Sequence, residues 1–274
     1  METTLLLKAY LKKLRLPTVG RDFPKIAEEA VKTNLPYDRY LLALLEQEVL
    51  QREENALKMR LKRANFPVLK TLETFDFGAS ASLNKQKVLQ LAEGRWIQAA
   101  ENVILVGNSG VGKTHIAVAL GIAACRKECS VRFFPLAKLV TLLLEAQAQH
   151  ALSRMERQLE RVDLLILDEL GYVPFSKTGA ELIFGIIASR YERRSVLVTT
   201  NMEFSLWPEV FAGERMTAAL VDRLTHKSHI LSMSGESYRF KQSHQKILGI
   251  PATNGSNPVD SLRAADILAP SAGA

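Results

Sequence analysis

The sequence predicts an α/β fold, a parallel sheet flanked by helices, preceded by a small all-α N-terminal domain. Short apolar runs that end in polar residues recur between residues 103 and 231 and alternate with helical patterns, as in repeated βα units. The first 72 residues carry helical periodicity instead. We expect a helical domain over 1–72, an α/β domain over 73–245 and a disordered tail over 250–274, which is rich in Pro, Ala, Ser, Gly and Asn.

The N-terminal domain is predicted to contain three helices. Apolar residues at i, i+4 and i+7 form a one-sided apolar stripe on the first predicted helix: Leu7, Leu11 and Leu14. Pro17 interrupts this pattern, and Asp22 is expected to cap the second helix. Asp38 is expected to cap a third, long helix, which changes from apolar in its first half to charged in its second.

The N-terminal domain is also the more basic part of the chain. The chain has 36 Lys and Arg against 29 Asp and Glu, and residues 1–72 hold 14 of these cations but only 9 of the acids. A cluster near the end of the long helix supplies the candidate DNA-binding residues: Lys58, Arg60, Lys62 and Arg63. Contacts of such cations with phosphates supply most non-specific DNA affinity. The alternative is a solvated basic surface, and no motif predicts sequence-specific base reading.

The central motif of the α/β domain is the run GNSGVGKT, which fits the pattern GxxxxGK[ST]. An apolar run, 103–106, precedes it and a helical run, 116–120, follows it, which is the strand–loop–helix context that a phosphate-binding loop requires. The predicted cofactor-binding residues are Gly107, Asn108, Ser109, Gly110, Val111, Gly112, Lys113, Thr114 and His115.

This loop predicts binding of a polyphosphate ligand together with Mg²⁺. Glycines let the backbone wrap a polyphosphate, and the loop N–H groups and the helix N-terminus face its negative oxygens. Lys113 is expected to reach the β- and γ-phosphates, and the Thr114 hydroxyl is expected to bind Mg²⁺. A simple glycine turn with one solvated lysine is the alternative, which the flanking strand and helix disfavour.

A carboxylate pair, Asp168–Glu169, follows the apolar run 164–167. Ligands bind at the carboxyl ends of the strands in open α/β sheets. We expect Asp168 to hold Mg²⁺ through water and Glu169 to orient or deprotonate the attacking water. A solvated acidic pair at a strand end is the alternative, and the upstream phosphate-binding loop favours the catalytic interpretation.

Two further polar residues complete the candidate catalytic set. Asn201 follows the apolar strand 196–198 and is expected to contact the γ-phosphate or the attacking water. Arg223 lies near the end of a predicted helix, 217–225, just before the last strand. An arginine in this place can serve a neighbouring subunit, because arginine fingers neutralise charge in the transition state. Arg215 is the less favoured candidate for this role.

The composition predicts a cytoplasmic protein without a membrane partner. No apolar run approaches the roughly 20 residues needed to span a bilayer. The first residues do not form a secretory signal peptide. Cys125 and Cys129, the two cysteines, are expected to be reduced thiols rather than metal ligands.

In combination, these motifs resemble the AAA+ ATPases and, more closely, the IstB family. The segments that carry the resemblance are GVGKTHIAVALG, LDELGYVPF and ALVDRLTHKSHIL, preceded by KTLETFDF. The resemblance covers about residues 5–240. Members of this family are ATP-dependent helper proteins encoded beside a transposase in bacterial insertion sequences, and their core is similar to that of DnaC and DnaA.

The resemblance implies an ATPase that assembles on duplex DNA as an ATP-dependent homo-oligomer, helical or ring-like, and recruits or stimulates a partner transposase. It gives Arg223 the role of the trans-acting finger and Asn201 that of the sensor. The helix pair between the second and third strands corresponds to the initiator-specific insert. The C-terminal helical lid of larger AAA+ proteins is expected to be missing.

Three other functions remain open at this stage. A DnaC-like replicative helicase loader shares nearly every catalytic residue, so only the partner of the N-terminal domain separates the two. A small-molecule kinase also has a phosphate-binding loop, although Asp168, Glu169 and Asn201 suit water activation better. The third alternative is a scaffold that binds nucleotide without hydrolysing it.

Overall fold

The computed structural model describes residues 2–80, 82–171, 174–211, 213–235 and 237. The predicted disordered tail, 250–274, lies outside these residues. The chain divides into two compact units between Met59 and Arg60. Residues just after this point belong to the second unit because the Arg60 guanidinium donates to the Cys125 carbonyl at 2.9 Å and the Phe66 ring packs against Phe133. The domain boundary at 72/73 expected from the sequence stays a prediction.

The first unit is helical, as the sequence predicts. Its helices are α1 (Glu2–Lys13), α2 (Pro17–Thr33) and α3 (Tyr37–Ala64), of which α3 continues into the second unit. The helical pattern of α1 ends before Pro17, as expected, but the expectation that Asp22 would cap the second helix is wrong. Pro17 is itself the first residue of α2. Proline suits this position because its ring presets a helical φ and its missing N–H would have no partner there.

The N-terminus of α2 is capped by a side chain of α3. The buried Glu48 carboxylate accepts from the backbone N–H of Thr18 at 2.8 Å and of Val19 at 3.2 Å. Arg52, one turn further along α3, pairs with the same carboxylate at 2.8 Å. A carboxylate at this position satisfies free N–H groups and complements the helix dipole. Glu48 therefore ties α2 to α3.

Glu48→Gln is expected to lower the free energy of unfolding of the first unit by about 1–2 kcal/mol, because it removes the charge from a buried cap. Burial acts to raise the pKa of Glu48, but the amides of Val19 and Thr18 and the Arg52 guanidinium outweigh it and lower that pKa below its usual value. The stabilisation is therefore complete above about pH 4.3, the unfolded value, and is lost as pH falls through the folded pKa.

Urea unfolding followed by circular dichroism at pH 7 and pH 4 measures both effects. The matched control is Glu29→Gln, since Glu29 is an exposed acid on α2. An equal loss of stability in both variants would contradict the capping role of Glu48.

The second unit contains one sheet of five parallel strands among the described residues, in the order β2-β3-β4-β1-β5. The strands are β1 (Asn102–Gly107), β2 (Val131–Pro135), β3 (Leu164–Leu170), β4 (Ser195–Thr200) and β5 (Ser228–Met233). All carboxyl ends of these strands lie at one edge of the sheet, because the strands are parallel. This confirms the predicted parallel α/β architecture.

Helices cover the sheet and connect its strands. They are α4 (Lys85–Ala92), α5 (Arg95–Gln98), α6 (Lys113–Arg126), α7 (Leu136–Ala148), α8 (Leu152–Glu160), α9 (Lys177–Arg190), α10 (Trp207–Phe211) and α11 (Glu214–Thr225). Two of them, α7 and α8, lie between β2 and β3 in the chain, where the sequence predicts a helix pair. The apolar residues of β3 and β4 are buried, so the sheet is the centre of the core.

Candidate nucleotide site at the carboxyl edge of the sheet

The phosphate-binding loop joins the end of β1 to the start of α6, as predicted. Gly107 pairs with Met233 of β5, and a Cβ at Gly107 would lie 2.0 Å from the Met233 carbonyl oxygen. Gly112, just before α6, has a φ of 98°, in the left-handed region that glycine adopts at low cost. Both glycines are therefore required by the backbone path itself, and the loop brings the N-terminus of α6 to this edge of the sheet.

Lys113 is the first residue of α6, and its side chain lies over the loop. The ammonium nitrogen donates to the carbonyl oxygens of Gly107 at 2.6 Å and Asn108 at 2.8 Å. Its positive charge is therefore held beside the backbone N–H groups of the loop and the positive end of the helix dipole. This arrangement suits an anionic ligand such as a polyphosphate.

Thr114 and Asp168, the two predicted magnesium ligands, lie together. The Thr114 hydroxyl is 3.1 and 3.0 Å from the two carboxylate oxygens of Asp168, although the residues come from α6 and β3. The Asp168 side chain is buried at the carboxyl end of its strand. Hydroxyl and carboxylate oxygens are the hard ligands that Mg²⁺ prefers, and phosphate oxygens and water complete its shell in nucleotide sites. The donor set fits Mg²⁺.

Glu169 follows Asp168 but its side chain is exposed at the same edge. Its φ is 63°, an unfavourable left-handed conformation for a residue with a side chain. The pairing of β3 with β4 shifts register between Leu167 and Leu170. Asp168 is buried beside Thr114, whereas the Glu169 side chain is exposed to solvent, where it can accept a proton from a water molecule.

Thr199 of β4 contacts both acidic residues, a position that no sequence motif predicts. Its buried hydroxyl donates to the Asp168 carboxylate at 2.5 Å and accepts from the Glu169 backbone N–H at 2.9 Å. One hydroxyl therefore orients the carboxylate of Asp168 and fixes the left-handed backbone of Glu169. The available signal was a threonine near the end of the strand before Asn201, but only the pairing of β3 with β4 shows which threonine faces the acids.

Thr199→Val is expected to reduce ATP hydrolysis by about 10- to 100-fold, because valine keeps the shape but loses both hydrogen bonds (an estimate from the loss of about 1–3 kcal/mol). Thr199→Ser keeps the hydroxyl and should retain most of the activity. The measurement is kcat and KM for ATP, with thermal unfolding of each variant as a check on folding. If Thr199 positions the acids, kcat should fall in Thr199→Val and remain near the parent value in Thr199→Ser. An equal loss of kcat in both variants would contradict this role.

Asn201 lies directly after β4, between the ends of β1 and β3 in the sheet, and its side chain is exposed. The carboxyl ends of three neighbouring strands therefore bring together the loop, the acidic pair and Asn201. The sequence predicts this grouping.

Arg223 lies at the opposite edge of the sheet. Asn102, at the start of β1, donates to the backbone carbonyls of Arg223 and Leu224 at 3.4 and 3.1 Å. β1 runs for six residues from this point to the phosphate-binding loop, a distance of about 17 Å. The Arg223 guanidinium packs over the Phe184 ring and donates to the Ala219 carbonyl at 2.8 Å. Its side chain therefore does not belong to the nucleotide site of its own chain.

The His115 side chain contacts the segment that precedes the first strand of the sheet. Its Nε2 lies 2.8 Å from the Thr71 carbonyl oxygen and 3.3 Å from the Thr74 hydroxyl, and its ring packs edge-on against Phe75. Burial lowers the pKa of His115, so the neutral ring is favoured. Any contact of His115 with a nucleotide would therefore involve its backbone rather than its imidazole.

The four candidate DNA-binding cations differ in their surroundings. Lys58 forms an ion pair with Glu54 at 2.5 Å, and Arg60 is partly buried where it donates to the Cys125 carbonyl. Lys62 and Arg63 are exposed, and neither has a hydrogen bond or ion pair to another described residue. These two side chains are the ones most available for phosphate contact. The DNA-binding assignment of all four stays a prediction.

Comparison with known proteins identifies close relatives. A family model described as IstB-like ATP binding protein matches residues 9–246. The chain is 38% identical over 239 residues to the ATP-binding protein of insertion sequence IS21 from Pseudomonas aeruginosa, covering 87% of this chain and 90% of that protein. It is 34% identical over 236 residues to the ATP-binding protein of IS232 from Bacillus thuringiensis subsp. berliner, covering 86% and 94%.

Among solved structures, the AMPPCP-bound DnaA from Aquifex aeolicus is similar, with a TM-score of 0.54 and 18% identity. The match covers 72% of this chain and 60% of that one. This likeness confirms the predicted AAA+ fold. No helix among the described residues is long and apolar enough to cross a membrane.

Proposed function

Because this chain belongs to the family of IstB-like ATP-binding proteins, we propose that it is an Mg²⁺-dependent ATPase that assembles on duplex DNA and recruits a transposase. The observation that carries the proposal is the convergence of Lys113, Thr114, Asp168 and Glu169 at one edge of the sheet. This edge supplies a cation for phosphates, oxygen ligands for a metal and a solvent-exposed base.

In the proposed reaction, the protein binds ATP through the loop backbone and Lys113. Thr114 and Asp168 would hold Mg²⁺, which would neutralise charge on the phosphate oxygens. Glu169 accepts a proton from the attacking water, and Asn201 orients that water or the γ-phosphate. Thr199 keeps the two carboxylates in their separate orientations. The position of these side chains at the carboxyl edge of the sheet supports each of these roles.

In an oligomer, Arg223 of a neighbouring subunit would complete the nucleotide site. Arg223 lies about 17 Å from the loop of its own chain, measured along β1, and its side chain is half-buried, so part of it remains accessible to a neighbouring subunit. ATP bound between two subunits would then contact Arg223 of one and the loop of the other. Such contacts exist only when the γ-phosphate is present, so they couple ATP binding to oligomer formation.

The DNA and transposase parts of the proposal are supported by two observations. Two relatives that are 38% and 34% identical to this chain are named as ATP-binding proteins of insertion sequences, which are mobile DNA segments. The chain also has a net charge of +7, and its N-terminal 72 residues carry most of that excess. A basic surface of this kind favours association with DNA phosphates.

The experiment that tests the function is the mass of the protein on duplex DNA with ATP, with ADP and without nucleotide, measured by light scattering after size exclusion. We expect a large assembly only with ATP, and none for Lys113→Ala, which lacks the phosphate-binding cation. A small species that does not bind duplex DNA in any nucleotide state would contradict the proposal. It would favour a helicase loader, whose assembly requires its helicase.

The charge reversal Lys62→Glu with Arg63→Glu is expected to weaken duplex DNA binding. If each cation neutralises one phosphate, the slope of log K against log salt should fall in magnitude by about two. Fluorescence anisotropy with a labelled duplex at several salt concentrations measures this slope. The matched control is Lys25→Glu with Lys32→Glu, two exposed lysines of α2 with the same change in charge. An unchanged slope in the variant with Lys62→Glu and Arg63→Glu would mean that DNA binds elsewhere on the protein.

A further inference from the structure

The first unit contains a groove of about 700 Å³ that the proposed function does not use. One wall is the second half of α1 and the turn after it, and the other wall is the part of α3 between Glu48 and Asn55. The start of α2 closes one end. Each wall spans about seven residues of helix, or roughly 10 Å, which is two helical turns. The groove therefore has the length and shape to accept a short helical segment.

Apolar side chains remain exposed on α1 and in the turn after it. Of the predicted apolar stripe Leu7, Leu11 and Leu14, only Leu11 is buried in a core, where it joins Val19 and Leu44. Leu7 is 41% exposed and Leu14 is 66% exposed. Leu14 lines the groove beside Leu11, Leu16 and Pro17, so the lining offers an exposed apolar side chain to a partner.

The rim of the groove is basic. Lys8, Lys12 and Arg15 line it from the α1 side, and none of these side chains has an ion pair or hydrogen bond to another described residue. The one acid among the lining residues is Glu48, whose carboxylate is occupied by α2 and Arg52. Apolar contacts are therefore available on the floor and unpaired positive charge on the rim.

From this combination we infer that the groove binds an acidic amphipathic helix of a partner protein. Leucine-sized side chains of the partner would pack beside Leu14 and Leu11, and its carboxylates would pair with Lys8, Lys12 and Arg15. An amphipathic helix that lays its apolar face into a groove is a common mode of recognition. This inference goes beyond ATP hydrolysis and DNA assembly, and it does not depend on either.

Duplex DNA fits the groove less well than such a helix. Phosphates would contact the lysines, but the leucine floor would gain nothing from a highly charged backbone, and a duplex is too wide to enter a groove between two helices. An acidic amphipathic helix can pack its apolar side chains against the floor and pair its carboxylates with the cations of the rim. Charge complementarity of this kind also excludes basic partners.

The test uses the full chain and a labelled 18-residue helical peptide with leucines at i, i+3, i+4 and i+7 and glutamates on the other face. Fluorescence anisotropy without nucleotide gives its affinity. We expect Lys8→Glu with Lys12→Glu to weaken binding by at least about tenfold, since two charge pairs become repulsive. Lys25→Glu with Lys32→Glu is the matched control and should bind as the parent does. A peptide with lysines in place of the glutamates should bind about tenfold more weakly.

Leu14→Asp is the second variant, and because Leu14 is mostly exposed it should leave the helical content of the chain unchanged. It should weaken peptide binding by a similar factor, because the aspartate places a charge beside the apolar floor of the groove. Absence of peptide binding, or binding that neither variant reduces, overturns the inference. Competition by an unlabelled duplex that depends on Lys8 and Lys12 would identify a nucleic-acid surface instead. A concentration-dependent dimer that Leu14→Asp abolishes would identify an interface between two copies of the chain.

Discussion

Replacing Arg223 by alanine is expected to reduce ATP hydrolysis by about 10³-fold or more while leaving ATP binding intact, which is the effect of removing an arginine finger, the role proposed for Arg223. The physical reason is its position. The residue lies at the amino edge of the sheet, beside the start of β1, whereas the phosphate-binding loop is at the carboxyl edge. The guanidinium can therefore neutralise transition-state charge only on a nucleotide bound by another subunit.

Mixing two inactive variants tests this arrangement directly. Lys113→Ala should lose nucleotide binding but keep its Arg223, whereas Arg223→Ala should bind ATP but lack the finger. At a mixed interface the intact Arg223 of the first variant meets the intact loop of the second, so hydrolysis should return. The measurement is phosphate release at a constant total protein concentration across a series of mixing ratios.

Two controls make the result specific. Arg215→Ala, at the start of α11 rather than near its end, should hydrolyse ATP at a rate close to that of the parent. In equilibrium binding measurements, a fluorescent ATP analogue should bind Arg223→Ala but not Lys113→Ala. Full activity of Arg223→Ala alone, or no recovery at any mixing ratio, would rule out a trans-acting finger.

The second large effect is expected at Arg190, a buried arginine at the end of α9. It is 1% exposed, and its guanidinium donates to four backbone carbonyls. The acceptors and distances are Leu159 at 2.6 Å, Val162 at 2.9 Å, Asp163 at 3.2 Å and Ser195 at 2.8 Å. Burial lowers the pKa of Arg190 to about 10, so the side chain remains charged at neutral pH. One side chain thus joins the end of α8, the start of β3 and the start of β4.

Arg190→Met is expected to lower the free energy of unfolding of the second unit by about 3–5 kcal/mol, because it leaves several buried carbonyls without donors. Urea unfolding of the full chain followed by circular dichroism measures this loss. The control is Arg194→Met, which removes the same charge from a half-exposed ion pair with Asp163. That variant should lose less than about 1 kcal/mol. Similar losses in both variants would mean that the carbonyl contacts of Arg190 add little.

Much of the candidate site could be predicted from local sequence. The loop pattern and its flanking strand and helix predict where Gly107 to Thr114 lie, and the apolar run before Asp168 predicts a strand that ends in carboxylates. Parallel strands bring such ends to one edge. These signals are readable because the chemistry depends on neighbouring residues in the chain and on a fixed strand–loop–helix context.

Other features could not be predicted in this way because they join residues far apart in the chain. The capping of α2 by Glu48 involves residues about 30 positions apart, so the local pattern favoured Asp22 instead. The same holds for Arg190, which looks like an ordinary cation at the end of a helix. Its burial follows only from how α8, β3 and β4 pack around it.

The sequence by itself determined the fold class, the phosphate-binding loop, the acidic pair and the family, because each depends on short patterns of residue type and spacing. Tertiary structure alone decided how those residues act together. The pairing of β3 with β4 puts the Thr199 hydroxyl between Asp168 and Glu169, and the direction of β1 separates Arg223 from its own loop. Strand register and direction are non-local properties, and they determine which side chains share a site.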